Sequence, residues 1–78
     1  MLKVTNIIEK EGFVYFDCYI ENNHSDKPDF TIKYSPAQKR YWPSTTLSFS
    51  QRSYAMKALH KLQSYAPDYP HSFKMMWY

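Results

Sequence analysis

The residue pattern predicts an α+β fold: a three-stranded antiparallel sheet, β-β-β-α in order, with a fourth C-terminal strand as an option, packed on one amphipathic helix. Three observations predict it. Early in the chain lie three short runs rich in β-formers, separated by polar connections. One segment of helical period follows, opened by a capping sequence. Consecutive strands joined by short loops pair antiparallel, and one helix covers one face of such a sheet.

The first run spans residues 2–9. Leu2, Val4 and Ile8 alternate with Lys3, Thr5, Ile7 and Glu9, and Asn6 interrupts the apolar face. Glu9-Lys10-Glu11-Gly12 follows and holds the only glycine, where a tight hairpin loop calls for positive φ. The second run, residues 13–20, reads FVYFDCYI and is the strongest strand in the chain. After a polar loop through residues 22–29, the third run, 30–34, alternates Phe30, Ile32 and Tyr34 with Thr31 and Lys33, and Pro36 stops it.

Residues 35–47 read as a long connection bracketed by Pro36 and Pro43. It contains the densest basic and aromatic cluster, Lys39-Arg40-Tyr41-Trp42. Ser48 and Gln51 match a capping box, so a helix starts there. Its apolar face is Ala55, Ala58, Leu59, Leu62 and Ala66, its polar face Ser53, Lys57, His60, Lys61 and Ser64. Pro67 ends it near Ala66. In the tail, Phe73, Met75 and Trp77 alternate with Lys74, Met76 and Tyr78, the pattern of a short last strand over 72–78.

With 78 residues the chain has room for one domain, 1–78, and it reads as a complete small gene product. The lone Cys18 excludes an internal disulfide, which suits a reducing cytoplasm. No run approaches the roughly 20 apolar residues of a membrane span, so no membrane partner is expected. Nor is there the apolar run and cleavage site of a signal peptide.

Catalytic and cofactor chemistry finds no support. A single glycine excludes a glycine-rich phosphate loop. His24, His60 and His71 are too scattered for a metal site. Cys18 falls on the expected core face, where cysteines are inert. Asp17 and Glu21 on one strand stand about 13 Å apart by strand rise, too far to cooperate as a glycosidase pair. The expectation is a non-enzymatic binding protein without cofactor or metal.

Strand period divides the two faces. Val14, Phe16, Cys18 and Ile20 share an apolar side that belongs on the helix. Phe13, Tyr15, Asp17, Tyr19 and Glu21 face the other way. The expected contact surface is therefore Tyr15 and Tyr19, flanked by Lys3, Lys33 and, as an option, Lys10. The Lys39-Arg40-Tyr41-Trp42 segment joins it if it folds alongside, adding Arg40 and Trp42; the alternative is that Tyr41 or Trp42 tucks under the sheet edge and anchors the connection. Eight Tyr, five Phe and two Trp exceed what so small a core holds, which leaves aromatic surface outside. Trp and Arg are enriched in binding hot spots.

The formal net charge of +3 suits an acidic protein surface or nucleic acid, and equally a surface kept soluble by charge. Rings on an open sheet rimmed by cations resemble a single-strand nucleic-acid platform, but Asp17 and Glu21 would repel phosphate. Protein binding therefore ranks first, with a larger protein or nucleoprotein complex as partner and nucleic acid as the alternative. A homodimer through edge strands or the 73–78 tail is a third expectation.

As topology alone, over residues 2–66, the β-β-β-α order resembles the arm-type DNA-binding domains of phage integrases and the plant AP2 domain. No motif matches residue by residue, so no functional residue is carried over. In size and lack of catalytic residues the chain also resembles phage and mobile-element accessory proteins, including anti-CRISPR inhibitors.

Overall fold

The computed structural model describes residues 1–20 and 25–75. Its elements run β1 (Leu2–Lys10), β2 (Phe13–Ile20), β3 (Phe30–Ser35), β4 (Arg40–Pro43), α1 (Phe49–Gln63) and β5 (Phe73–Met75). All five strands pair antiparallel in one sheet, ordered β4-β3-β2-β1-β5. The α+β class holds. The sheet is larger than the expected three strands plus an optional fourth, because the 35–47 connection contains a strand.

Local chemistry explains the turns. Glu11 and Gly12 have φ of 53° and 83°, and they join a Lys10–Phe13 pair. Positive φ at both central residues is what a two-residue type I′ hairpin demands. The β3–β4 hairpin turns through 36–39, closes on the Ser35–Arg40 pair, and places Lys39 at φ 55°. β4 is an edge strand, the sheet position that tolerates Pro43. Just beyond it, the Ser44 N–H donates to the Thr31 carbonyl at 2.8 Å, and the Thr31 N–H donates to Ser44 Oγ at 3.1 Å. Ser44 thus continues the ladder that Pro43 interrupts.

β1 carries an irregularity that changes its faces. Thr5 pairs with Asp17 and Ile8 with Tyr15, so Asn6 and Ile7 together oppose the single residue between them. This is a β-bulge, with Asn6 at φ 53°, a conformation asparagine tolerates better than most residues. The extra residue reverses the alternation. Ile7 turns inward and is buried, while Ile8 turns outward and is 56% exposed. The expectation from strict alternation, Ile8 inside and Ile7 outside, is corrected accordingly. The Ile7 N–H donates to the His71 carbonyl at 3.1 Å, which ties the bulge to the segment leading into β5.

α1 begins as its sequence dictates. The Gln51 N–H donates to Ser48 Oγ at 3.2 Å, and the Ser48 N–H donates to Gln51 Oε1 at 2.9 Å, a complete capping box. The helix ends at Gln63, three residues before the expected Ala66, which is exposed. The ring of Pro67 would clash with the carbonyl of Gln63 in a continuing helix, and a residue before proline avoids helical geometry.

The core lies between α1 and one sheet face. Leu2, Val4, Ile7, Val14, Phe16, Cys18, Phe30, Ile32, Tyr34 and Phe73 meet Ala55, Ala58, Leu59 and Leu62, with Leu47 closing one end. The Tyr34 hydroxyl, at the polar end of a buried ring, accepts a hydrogen bond from Gln63 Nε2 at 2.8 Å. Within β5, Phe73 is buried and Lys74 exposed, as the alternation predicts; the remainder of the expected last strand, 76–78, lies outside the described residues. Among the described residues, no helix is long and apolar enough to cross a membrane.

Candidate functional site

α1 covers one face of the sheet, and the other face is built from rows that cross the strands. The longest row runs Ile8, Tyr15, Lys33, Trp42 over β1, β2, β3 and β4, each a register partner of the next. Phe13 lies beside it: its ring centroid is 6.2 Å from that of Trp42, edge to face at 70°. Lys33 Nζ sits 4.2 Å from the Phe13 centroid and 5.8 Å from that of Trp42. Two rings thus share one ammonium, a cation–π arrangement that fixes Lys33 against the sheet. Ile8 and Trp42, at the two ends of the row, are 56% and 42% exposed. Ile8 and Tyr15 also line an open depression of about 390 Å³ with Lys10 and Glu11.

The middle row is polar and internally satisfied. Asp17 stands between Thr5 and Thr31. Its carboxylate accepts from Asn6 Nδ2 at 2.8 Å and from Thr31 Oγ1 at 3.0 Å. The bulge that inverts Ile7 and Ile8 also brings the Asn6 amide onto this carboxylate. A third row joins Lys74, Lys3 and Tyr19. Lys3 Nζ lies 4.8 Å over the Tyr19 ring, and the Tyr19 hydroxyl donates to the Asp26 carbonyl at 3.3 Å.

The residues singled out from sequence divide between the two sides. Tyr15, Tyr19 and Lys33 lie on the open face and are half-buried. Arg40 and Trp42 extend that face along β4, and Lys39 is exposed in the adjoining turn. Tyr41 lies apart from that face: strand alternation turns it to the helix side, where it packs against the core, the alternative that the sequence left open for it. There it borders a second open depression, of about 490 Å³, with Pro43, Thr46, Leu47 and Arg52. Glu21 and His24 lie outside the described residues.

Two features went unread in the sequence. Residues 30–67 contain Lys33, Lys39, Arg40, Arg52, Lys57 and Lys61 and not one acid; the seven acids are Glu9, Glu11, Asp17, Glu21, Asp26, Asp29 and Asp68. β3, β4 and α1 therefore form a wholly cationic half. The second is exposed apolar surface on α1, with Phe49 at 91% and Met56 at 55%. Both stand off the Ala55–Ala58–Leu59–Leu62 stripe, a signal available from helical period alone.

Cys18 is fully buried, and burial, reinforced by Asp17 and Asp29, pushes its thiol far above the ordinary value, so the nucleophilic thiolate is disfavoured. Tyr69 is shifted upward by partial burial and by nearby Glu9 and Tyr34. Among the described residues, no three His, Cys, Asp or Glu side chains gather as a metal site would require. No family model, curated protein or solved structure matches the chain, so the functional reading rests on the geometry of the two surfaces.

Proposed function

We propose that the chain is a non-enzymatic binding module, of accessory or inhibitor type, that docks on a larger protein or nucleoprotein complex through the open face of its sheet. The observation that carries this reading is the Ile8–Tyr15–Lys33–Trp42 row with Phe13 beside it. It is a continuous apolar and aromatic stripe whose central cation is already covered by rings. Exposed Trp and Ile at its ends offer contact area at low entropic cost, the character of a protein hot spot. Lys3, Lys10, Arg40 and Lys74 surround the stripe and favour an acidic partner surface.

Nucleic acid is the second reading, favoured by that same cationic rim. It ranks lower for two reasons. Lys33 is engaged with Phe13 and Trp42, and the Asp17 carboxylate stands at the middle of the face, where it would oppose phosphate.

Affinity capture from the native host, with and without nuclease, separates the two. The wild-type chain should retain a stoichiometric protein partner after nuclease treatment, and an Ile8→Thr/Trp42→Thr variant should lose it. Loss of the partner on nuclease treatment would transfer the face to nucleic acid. Equal recovery by the variant would remove the sheet face from the interaction.

A further inference from the structure

The helix side carries a second unexplained surface. Phe49 is the first residue of α1 and 91% exposed, and Met56, seven positions on, is 55% exposed. Arg52 lies between them, three residues after Phe49 and four before Met56, so the three form one ridge of the helix. The same Arg52 lines the open depression of about 490 Å³ with Tyr41, Pro43 and Leu47. A ridge with two exposed apolar side chains and a hollow of mixed lining, with Thr46 beside Tyr41, Pro43 and Leu47, therefore meet at one arginine.

Fold stability gives no reason for this arrangement. The core is complete on the neighbouring Ala55–Ala58–Leu59–Leu62 stripe, which the ridge flanks, and an exposed Phe at a helix start buries nothing. Phe also lacks helix propensity to recommend it there. The charge pattern identifies the chemistry of what would cover it. From residue 30 to residue 67 the chain has no carboxylate, and of its six cations Arg52 lines the hollow, while Lys33 and Arg40 belong to the other face. The first turn of α1 has no acidic residue either, although that is where acids are most stabilising. A partner segment bearing carboxylates would meet no like charge from these elements and would complement both Arg52 and the helix terminus.

We infer that this ridge and hollow form a second docking surface, for an acidic segment of a partner protein carrying a large apolar anchor. The anchor enters the hollow between Tyr41, Pro43 and Leu47, and the flanking carboxylates face Arg52. Phe49 and Met56 pack along the segment's apolar side. The surface is distinct from the sheet face: Tyr41 lines it, whereas its neighbour Trp42 belongs to the other side.

Selection of a random-peptide display library on the full chain tests the inference directly, since the library samples acidic and apolar segments without bias. Enriched peptides should combine Asp or Glu with one or two large apolar residues. Their affinity should fall at least about tenfold in Phe49→Ser and again in Arg52→Glu, the loss expected for hot-spot contacts. Both positions are exposed, and unchanged circular dichroism would certify the fold of each variant. Trp42→Thr should leave the affinity unaltered, which separates this surface from the sheet face. Several results would overturn the inference: no enrichment, enriched peptides without carboxylates, indifference to Phe49→Ser, or complete competition by a single-stranded oligonucleotide.

Discussion

The two faces of the sheet are made from the same strands and held by different physics. The inner face is apolar and buried under α1, from Leu2 and Val4 through Phe16 to Ile32. Its stabilisation comes from area removed from water, roughly 1.5–3 kcal/mol for each fully buried large side chain. On the outer face stabilisation comes from pairs: Lys33 between two rings, Lys3 over Tyr19, and Asp17 between Asn6 and Thr31. Such contacts contribute about 0.5–1 kcal/mol each at exposed sites. A face held by weak pairs can change its occupant from water to a partner, whereas a face held by burial cannot. Substitutions on the two faces should therefore differ in kind.

The largest effect is expected inside. Phe16 is among the largest fully buried side chains, and Phe16→Ala should cost about 3–5 kcal/mol through lost burial and the cavity left behind. In a chain of this size that approaches the whole of the stability, so urea denaturation should show a strongly reduced midpoint or an unfolded baseline. Next comes the bulge that links the faces. Asn6→Val places a β-branched residue at positive φ and removes the hydrogen bond to Asp17, at a cost of about 1–3 kcal/mol. Asn6→Gly keeps the conformation and should cost less, so the pair of variants separates backbone strain from the lost contact.

A smaller effect comes from pH. Burial raises the folded-state Cys18 thiol above its unfolded value. The folded chain therefore binds more protons than the unfolded chain once the unfolded thiol ionises. The contribution is fully present below about pH 8.5, the ordinary thiol value, and is lost as pH rises toward the folded value. Over that window stability should fall by up to about 1.4 kcal/mol per pH unit. Cys18→Ala, although less stable throughout, should lack that component of the slope in urea denaturation measured across alkaline pH.

Much of this architecture was legible from residue pattern, because its signals are local. The second and third strands, the Glu11–Gly12 turn and the Ser48–Gln51 cap each depend on a few adjacent residues, and each lies where the pattern puts it. What escaped depends on context. β4 is four residues long, ends in proline and follows a turn with a lysine at positive φ. Only its pairing with β3 makes it a strand, and that pairing is what divides Tyr41 from Trp42. The bulge at Asn6 adds one residue to the alternation and so exchanges Ile7 and Ile8, a change no period-2 count can register. The outward placement of Tyr15 and Tyr19 was readable; the capture of Lys33 by Phe13 and Trp42 was not, since it joins three strands. The acid-free stretch from 30 to 67 and the off-stripe Phe49 and Met56 were present in the sequence and needed only to be counted.

The most direct test of a binding face held by weak pairs places stability and binding side by side in one protein. Urea denaturation and partner capture should be measured together on Ile8→Thr/Trp42→Thr. The expected result is a stability loss of no more than about 1–2 kcal/mol, from one aromatic pair and a cation–π contact, together with loss of the captured partner. A variant destabilised as severely as Phe16→Ala, or one that retains its partner undiminished, would contradict it.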